Sequence, residues 1–287
     1  MSGTPVFRPD RSASGPVAGR SEFFLRVASA LVLAPLALAT AYVGGWPFAL
    51  FWGIGALAIW WEWTAFVAGP ERWRAFVAGA AILAGALVLI VNGRVGAALV
   101  LVAIGAAVAA ALAPAERRVW GAAGVGYAVA PLSAVVLRDD AGHGFVAIVF
   151  LFAVVWVTDI FAYFAGRAIG GPKLWPRVSP KKTWSGAIGG TVAAMAAGVG
   201  TALIAGLGNL PAIALLALVL SVMSQSGDLL ESAIKRCFGT KDASHLIPGH
   251  GGAMDRLDGF LAAALAAAII GVARGGADAS ARGLLVW

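Results

Sequence analysis

Between Ser226 and Asp258 the chain gathers an acidic pair, a basic pair, a Lys241-Asp242 step, a glycine-rich turn and the run Asp255-Arg256-Leu257-Asp258. If Gly227 to Phe238 is helical, Asp228, Glu231, Ser232 and Lys235 fall at i, i+3, i+4 and i+7, on one face. That arrangement suits a nucleoside triphosphate arriving with Mg²⁺, an ion usually held by one or two carboxylates plus phosphate oxygens. Asp228 and Asp255 are the candidate ligands. An isolated Asp-x-x-Glu is more simply a salt-bridged helix end, but the neighbouring turn Pro248-Gly249-His250-Gly251-Gly252 opens into the helix that carries Asp255. Glycines before a helix start let the backbone approach a ligand, and first-turn amides favour phosphate. His250 is read as turn structure or a phosphate hydrogen bond before it is read as a base.

A second constellation runs from Asp159 to Trp184. Asp159 sits within an apolar stretch, where a carboxylate is costly unless it faces protein or water, and Tyr163 and Arg167 follow at i+4 and i+8 on the same side. A buried helix–helix hydrogen bond is the competing reading of Asp159 alone. Arg167, Lys173, Arg177, Lys181 and Lys182 then form a basic stretch. Such stretches commonly only set topology and attract anionic headgroups. Here Ser179-Pro180-Lys181-Lys182-Thr183-Trp184 stands immediately before a span, where Thr183 can cap a helix and the lysines can clamp a triphosphate. Glu62, in Trp60-Trp61-Glu62-Trp63, reads as a snorkelling or helix-pairing residue, and the eleven tryptophans as mainly an interfacial belt.

The elements that position these groups must be membrane helices. The 287 residues are 60% hydrophobic and 12% charged, against roughly 25% charged in soluble domains, which excludes a water-soluble fold. Continuous Ala/Leu/Val/Gly runs without period-2 alternation exclude a barrel and predict an all-α polytopic integral membrane protein. Nine spans are expected, near 24–43, 46–67, 74–91, 95–113, 119–137, 144–166, 184–206, 210–227 and 259–273, the first as a retained helix rather than a cleaved leader. Residues 1–20 read as a flexible tail, 21–138 as an N-terminal membrane scaffold and 139–287 as the working region, with ionisable groups concentrated in the latter. With the N-terminus inside, all 21 Lys and Arg except Arg94, Arg138, Arg274 and Arg282 fall on the cytoplasmic side. The two polar connections 167–183 and 228–258 share that side. The net charge of +7 is spread over loops and points to membrane topology, not nucleic acid. Cys237 has no second cysteine to pair with.

At this point the sequence resembles the phosphatidate cytidylyltransferases, or CDP-diacylglycerol synthases. Their signature joins a Ser, a Lys-Arg, a Lys-Asp, a His-Gly-Gly and an Asp-Arg-x-Asp, present here as Ser232, Lys235-Arg236, Lys241-Asp242, His250-Gly251-Gly252 and Asp255-Arg256-Leu257-Asp258. The resemblance extends upstream through Asp159, Tyr163, Gly166-Arg167 and Ser179 to Trp184. Phe161 departs from it, since the position after Ile160 is often small in the family.

The resemblance implies the reaction of CTP with phosphatidic acid to give CDP-diacylglycerol and diphosphate, with Mg²⁺ required and K⁺ as a second ion. It assigns the metal to Asp228 and Asp255, and support of the metal or phosphates to Asp258, Lys235 and Arg236. Lys173, Lys181 and Lys182 would contact CTP or the lipid phosphate. Asp159, Arg167, Ser179, Ser232, Lys241, His250, Gly251, Gly252 and Arg256 complete the expected substrate-binding set. The expected setting is the bacterial cytoplasmic (inner) membrane among lipids, with the site facing the cytoplasm and a homodimer as the extrapolated assembly. Two rivals predict other outcomes: a CTP-dependent polyprenol kinase-like lipid enzyme would release CDP, and an ion-coupled transporter would use Asp159, Asp228 and Glu231 as an ion path.

Overall fold

A computed structural model describes residues 31–69, 72–240, 243, 244, 246 and 251–287. Helices dominate it: α1 Leu31–Val43, α2 Gly45–Val67, α3 Arg72–Val91, α4 Val95–Leu112, α5 Arg118–Val129, α6 Leu132–Arg138 and α7 Gly144–Ile169 come first. A two-stranded antiparallel hairpin, β1 Lys173–Trp175 and β2 Ser179–Thr183, leads into α8 Trp184–Ile204, α9 Leu210–Cys237, α10 Met254–Gly275 and the short α11 Ser280–Leu285. Eight helical stretches are long and apolar enough to cross a bilayer, with α5 and α6 counted as one, and α1 supplies a shorter apolar helix. The chain is an all-α integral membrane protein. The predicted tail 1–20 and the beginning of the first predicted span lie outside the described residues.

Several boundaries differ from expectation for local reasons. The fifth span is interrupted where Pro131 offers no amide to the helical ladder, while Ala130 and Pro131 keep helical backbone angles. α9 continues ten residues past its apolar run, because Asp-Leu-Leu-Glu-Ser-Ala-Ile-Lys-Arg consists largely of helix formers and its charges face a cavity instead of lipid. The polar connection therefore begins after Cys237. α10 begins at Met254, so its charged first turn is helical.

Small residues bring the helices together around the site. A Cβ at Gly186 would lie 2.7 Å from the Ala162 carbonyl, and one at Gly190 2.6 Å from that of Thr158, so α7 and α8 approach almost backbone to backbone. Gly227 meets the Asp258 carbonyl in the same way, and Gly259 the Ser224 hydroxyl, locking α9 to α10 beside Asp228 and Asp258. Trp52 stacks on Phe260 at 4.5 Å, joining α2 to α10. The belt reading of tryptophan fails for Trp52, Trp60 and Trp63, each at most 2% exposed. The Trp60 and Trp63 indoles donate to the carbonyls of Phe76 and Trp120, which is how buried indoles are satisfied.

Candidate active site

The second half of the chain encloses a cavity of ≈ 790 Å³ at one end of the bundle. Asp159, Tyr163 and Arg167 reach it from α7, and the spacing read from the sequence is realised: Arg167 donates to the Tyr163 hydroxyl at 2.9 Å. Lys173, Lys181 and Lys182 come from the hairpin, whose end is fixed by Thr183. Its hydroxyl accepts from the Gly186 amide at 3.1 Å and caps α8 as expected. Phe161 points away from the bundle, 51% exposed, so its bulk does not crowd Asp159.

From α9, Asp228, Glu231, Ser232 and Lys235 all line the cavity, as one helical face should. Asp228 pairs with Lys182 across it, and Ser232 lies 3.5 Å from the other Asp228 oxygen. Lys235 bridges two carboxylates, Glu231 at 2.8 Å and Asp255 at 2.5 Å. Glu231 is only 1% exposed. α10 adds Asp255, Arg256 and Asp258. Asp159, Asp228 and Asp258 are near enough to act on one another electrostatically.

The start of α10 differs from the expected open phosphate seat. Asp255 Oδ2 accepts from the amides of Gly252 at 2.9 Å and Ala243 at 3.0 Å. Glu62, arriving from α2, accepts from the amides of Ala253 at 2.7 Å and Met254 at 2.8 Å and from the Ser244 hydroxyl at 2.5 Å. Carboxylates thus already occupy the amides of 252–254, so these amides do not form an open anion seat. The snorkelling reading of Glu62 is corrected too: at 1% exposure it is buried against the far half of the chain.

Some expected site residues stand apart. Arg236 is exposed and donates to the Thr240 carbonyl at 3.4 Å, and Ser179 starts β2 opposite Trp175 without lining the cavity. Gly251 and Gly252 form the turn against Asp255, Gly251 with a φ of 86°. Lys241 and His250 lie outside the described residues. The structure adds Gln225, whose amide reaches the cavity while donating to Thr191 at 2.9 Å. Outside the cavity lining, Tyr127 of α5 has a buried hydroxyl with no partner among the described residues.

A sequence model of the cytidylyltransferase family matches residues 24–273. The phosphatidate cytidylyltransferase of Brucella abortus (strain 2308) is 48% identical over 245 residues, covering 83% of this chain and 89% of its own length. That of Brucella melitensis biotype 1 is 47% identical over the same shares. The Bacillus subtilis (strain 168) protein of that name is 45% identical over 127 residues, 44% of this chain and 47% of its own. With a match that takes in every residue lining the cavity, the chain belongs to the cytidylyltransferase family.

Proposed function

We propose that the chain transfers CMP from CTP to phosphatidate, giving CDP-diacylglycerol and diphosphate, at the cytoplasmic face of a bacterial inner membrane. The observation that carries this reading is one cavity, at the end of apolar helices, in which Lys182 of β2 faces Asp228 of α9 and Lys235 of α9 faces Asp255 of α10. A soluble triphosphate and a lipid headgroup can meet there while the acyl chains stay among lipid. The Lys and Arg bias of the loops supports a cytoplasmic opening.

In this mechanism a phosphatidate oxygen attacks the α-phosphorus of CTP, and the bond from that phosphorus to the oxygen bridging to the β-phosphate breaks. Diphosphate leaves with the bonding electrons. The attacking group is already an anion, so no proton need be removed from it. The chain's task is positioning and charge stabilisation. Lys173, Lys181 and Lys182 draw the two anionic substrates together. Lys235, held between Glu231 and Asp255, presents a fixed positive charge toward the transferring group.

The acidic residues fit a hard cation. Among the described residues no three potential ligands converge as a complete metal cage, but Mg²⁺ bound through one or two carboxylates and substrate phosphates needs none. Asp228 and Asp255 are the candidate ligands, with Asp258 and Asp159 near Asp228. Each candidate is already paired, Asp228 with Lys182 and Asp255 with Lys235 and two amides, so a cation at either would compete with a lysine. Bound Mg²⁺ would supply charge neutralisation on the transferring phosphoryl group and the departing diphosphate. K⁺ as a second ion and a homodimer are proposed on family resemblance alone.

The test incubates the purified protein in detergent with phosphatidate, Mg²⁺ and α-labelled CTP. Label moving into lipid with stoichiometric diphosphate, lost on chelation and in Asp255→Ala, supports the reading. CDP in place of diphosphate, or no labelled lipid from folded protein, overturns it.

A further inference from the structure

We infer that Glu62 is a positioning residue for this reaction: from the opposite half of the chain it fixes the turn and first residues of α10, from which Asp255 and Asp258 project. The inference rests on the functional reading above and extends it to a side chain that does not line the cavity.

Glu62 lies in an apolar span, one turn before its end, and is 1% exposed. A carboxylate in that position is tolerated only with full satisfaction. Its partners are 182 to 192 residues away in sequence: Ser244 Oγ and Ala253 N on one oxygen, Met254 N on the other. A helix start supplies what such a carboxylate needs, since its first amides have no partner within the helix and carry the positive end of its dipole.

The amides of this turn are divided between two carboxylates. Glu62 takes 253 and 254, and Asp255 takes 252 and 243, leaving the second Asp255 oxygen for Lys235. Gly252 stands between them: a Cβ there would lie 2.8 Å from Glu62 Oε1 and 3.0 Å from Asp255 Oδ2. Only glycine lets both carboxylates close on the turn. Without Glu62, the amides of 253 and 254 become available to Asp255. Any turn of its carboxylate toward them also moves Lys235, the cation it orients in the cavity.

Glu62→Gln keeps the size but replaces one accepting oxygen by an amide that faces another donor. Hydrogen exchange at 252–254, thermal unfolding, and kcat and KM for CTP would be measured on native and variant full-length chains in the same detergent. The expected result is exchange faster by about tenfold or more and kcat lower by about ten- to a hundredfold, with KM within about threefold, as small misplacements of reacting groups produce. A purely structural role would lower the folded fraction and leave kcat per folded molecule unchanged. A variant kcat within about twofold of native overturns the inference, as does unchanged exchange.

Ser244→Ala removes one of the three contacts and keeps the test open should Glu62→Gln not fold. A smaller fall in kcat at constant KM supports the role, and native kcat with native exchange rejects it. The exchange measurement needs no turnover. A folded native chain that transferred no CMP would sink the functional reading and the kinetic role with it, while faster exchange in Glu62→Gln would still establish that Glu62 holds the turn.

Discussion

The two ends of the helix bundle use charge in different ways. At the end remote from the cavity, Arg138 and Arg274 are spent on backbone, as Arg72, Arg117 and Arg236 are at the cavity end, so the difference lies in the lysines and carboxylates. Arg138 donates to the carbonyls of Ala41 and Tyr42, and Arg274 to those of Gly283 and Val286 while its guanidinium lies 3.5 Å from the centre of the Trp287 ring. Asp140 is likewise consumed by the amides of Gly142, His143 and Arg282. At the cavity end, Lys182 and Lys235 instead face carboxylates across a space large enough for a substrate. A guanidinium satisfied by carbonyls closes a helix end. An ammonium held by a carboxylate beside open volume can exchange that partner for a phosphate. The contrast locates the chemistry better than charge density does, because both ends are charged.

The largest effects should follow from breaking the cavity's acidic side. Asp228→Asn removes the partner of Lys182 and a candidate Mg²⁺ ligand, and is expected to lower kcat on the order of 10³-fold, the upper range for losing one transition-state contact. Lipid-bound label from α-labelled CTP measures it, and native-like activity would remove Asp228 from the site. Lys235→Met should cost about 10²-fold in kcat, leaving Asp255 and the buried Glu231 without their shared cation. Its thermal unfolding, followed in parallel, separates lost chemistry from lost fold.

Lys182→Ala sharpens the division between binding and chemistry. The hairpin lysine is 28% exposed, and it is argued to gather substrate instead of contacting the transferring group alone. Its loss is expected to reduce kcat/KM by about tenfold, mostly through KM. A fall confined to kcat would place Lys182 beside Lys235 in the chemical step. Raised salt should weaken CTP binding to the native chain more than to the variant, because one screened contact is already gone.

How far the site could be read in advance depended on the range of each interaction. The face formed by Asp228, Glu231, Ser232 and Lys235 was legible because helical spacing is local, as was the Thr183 cap before an apolar run. The length of α9 was not, since hydropathy ends at the first charges while the helix does not. The basic stretch 173–183 concealed a hairpin, its few strand residues carrying no clear alternation. Glu62 pairs α2 with α10, one of its two expected roles, but which helix it meets was not legible because its partners lie more than 180 residues away. The usable signal was a carboxylate inside a span with no cation within a helical turn, which obliges it to find distant donors. Tyr127 and Gln225 offered less, being single polar groups in apolar helices whose importance depends on which helix packs against them. The same holds for the buried tryptophans: composition could suggest a belt, but only packing shows which indoles face inward.

The smallest effect on turnover belongs to Arg274, and it tests the comparison from the other side. Asp255 and Arg274 are separated by most of α10, about 28 Å at the rise of a helix, so its loss should not disturb the cavity. It does hold α11 against α10 through two carbonyls and the Trp287 ring. Arg274→Ala is therefore expected to destabilise the fold by about 1–2 kcal/mol, the combined scale of a charged hydrogen bond and a cation–π contact near the surface, seen as an earlier unfolding transition in detergent. Activity per folded molecule should stay within about twofold of native, because a cation already spent on carbonyls does not meet the substrate. If kcat instead fell as far as in Lys182→Ala, the two ends would be mechanically coupled through α10, and the separation of structural from catalytic charge would fail along that helix.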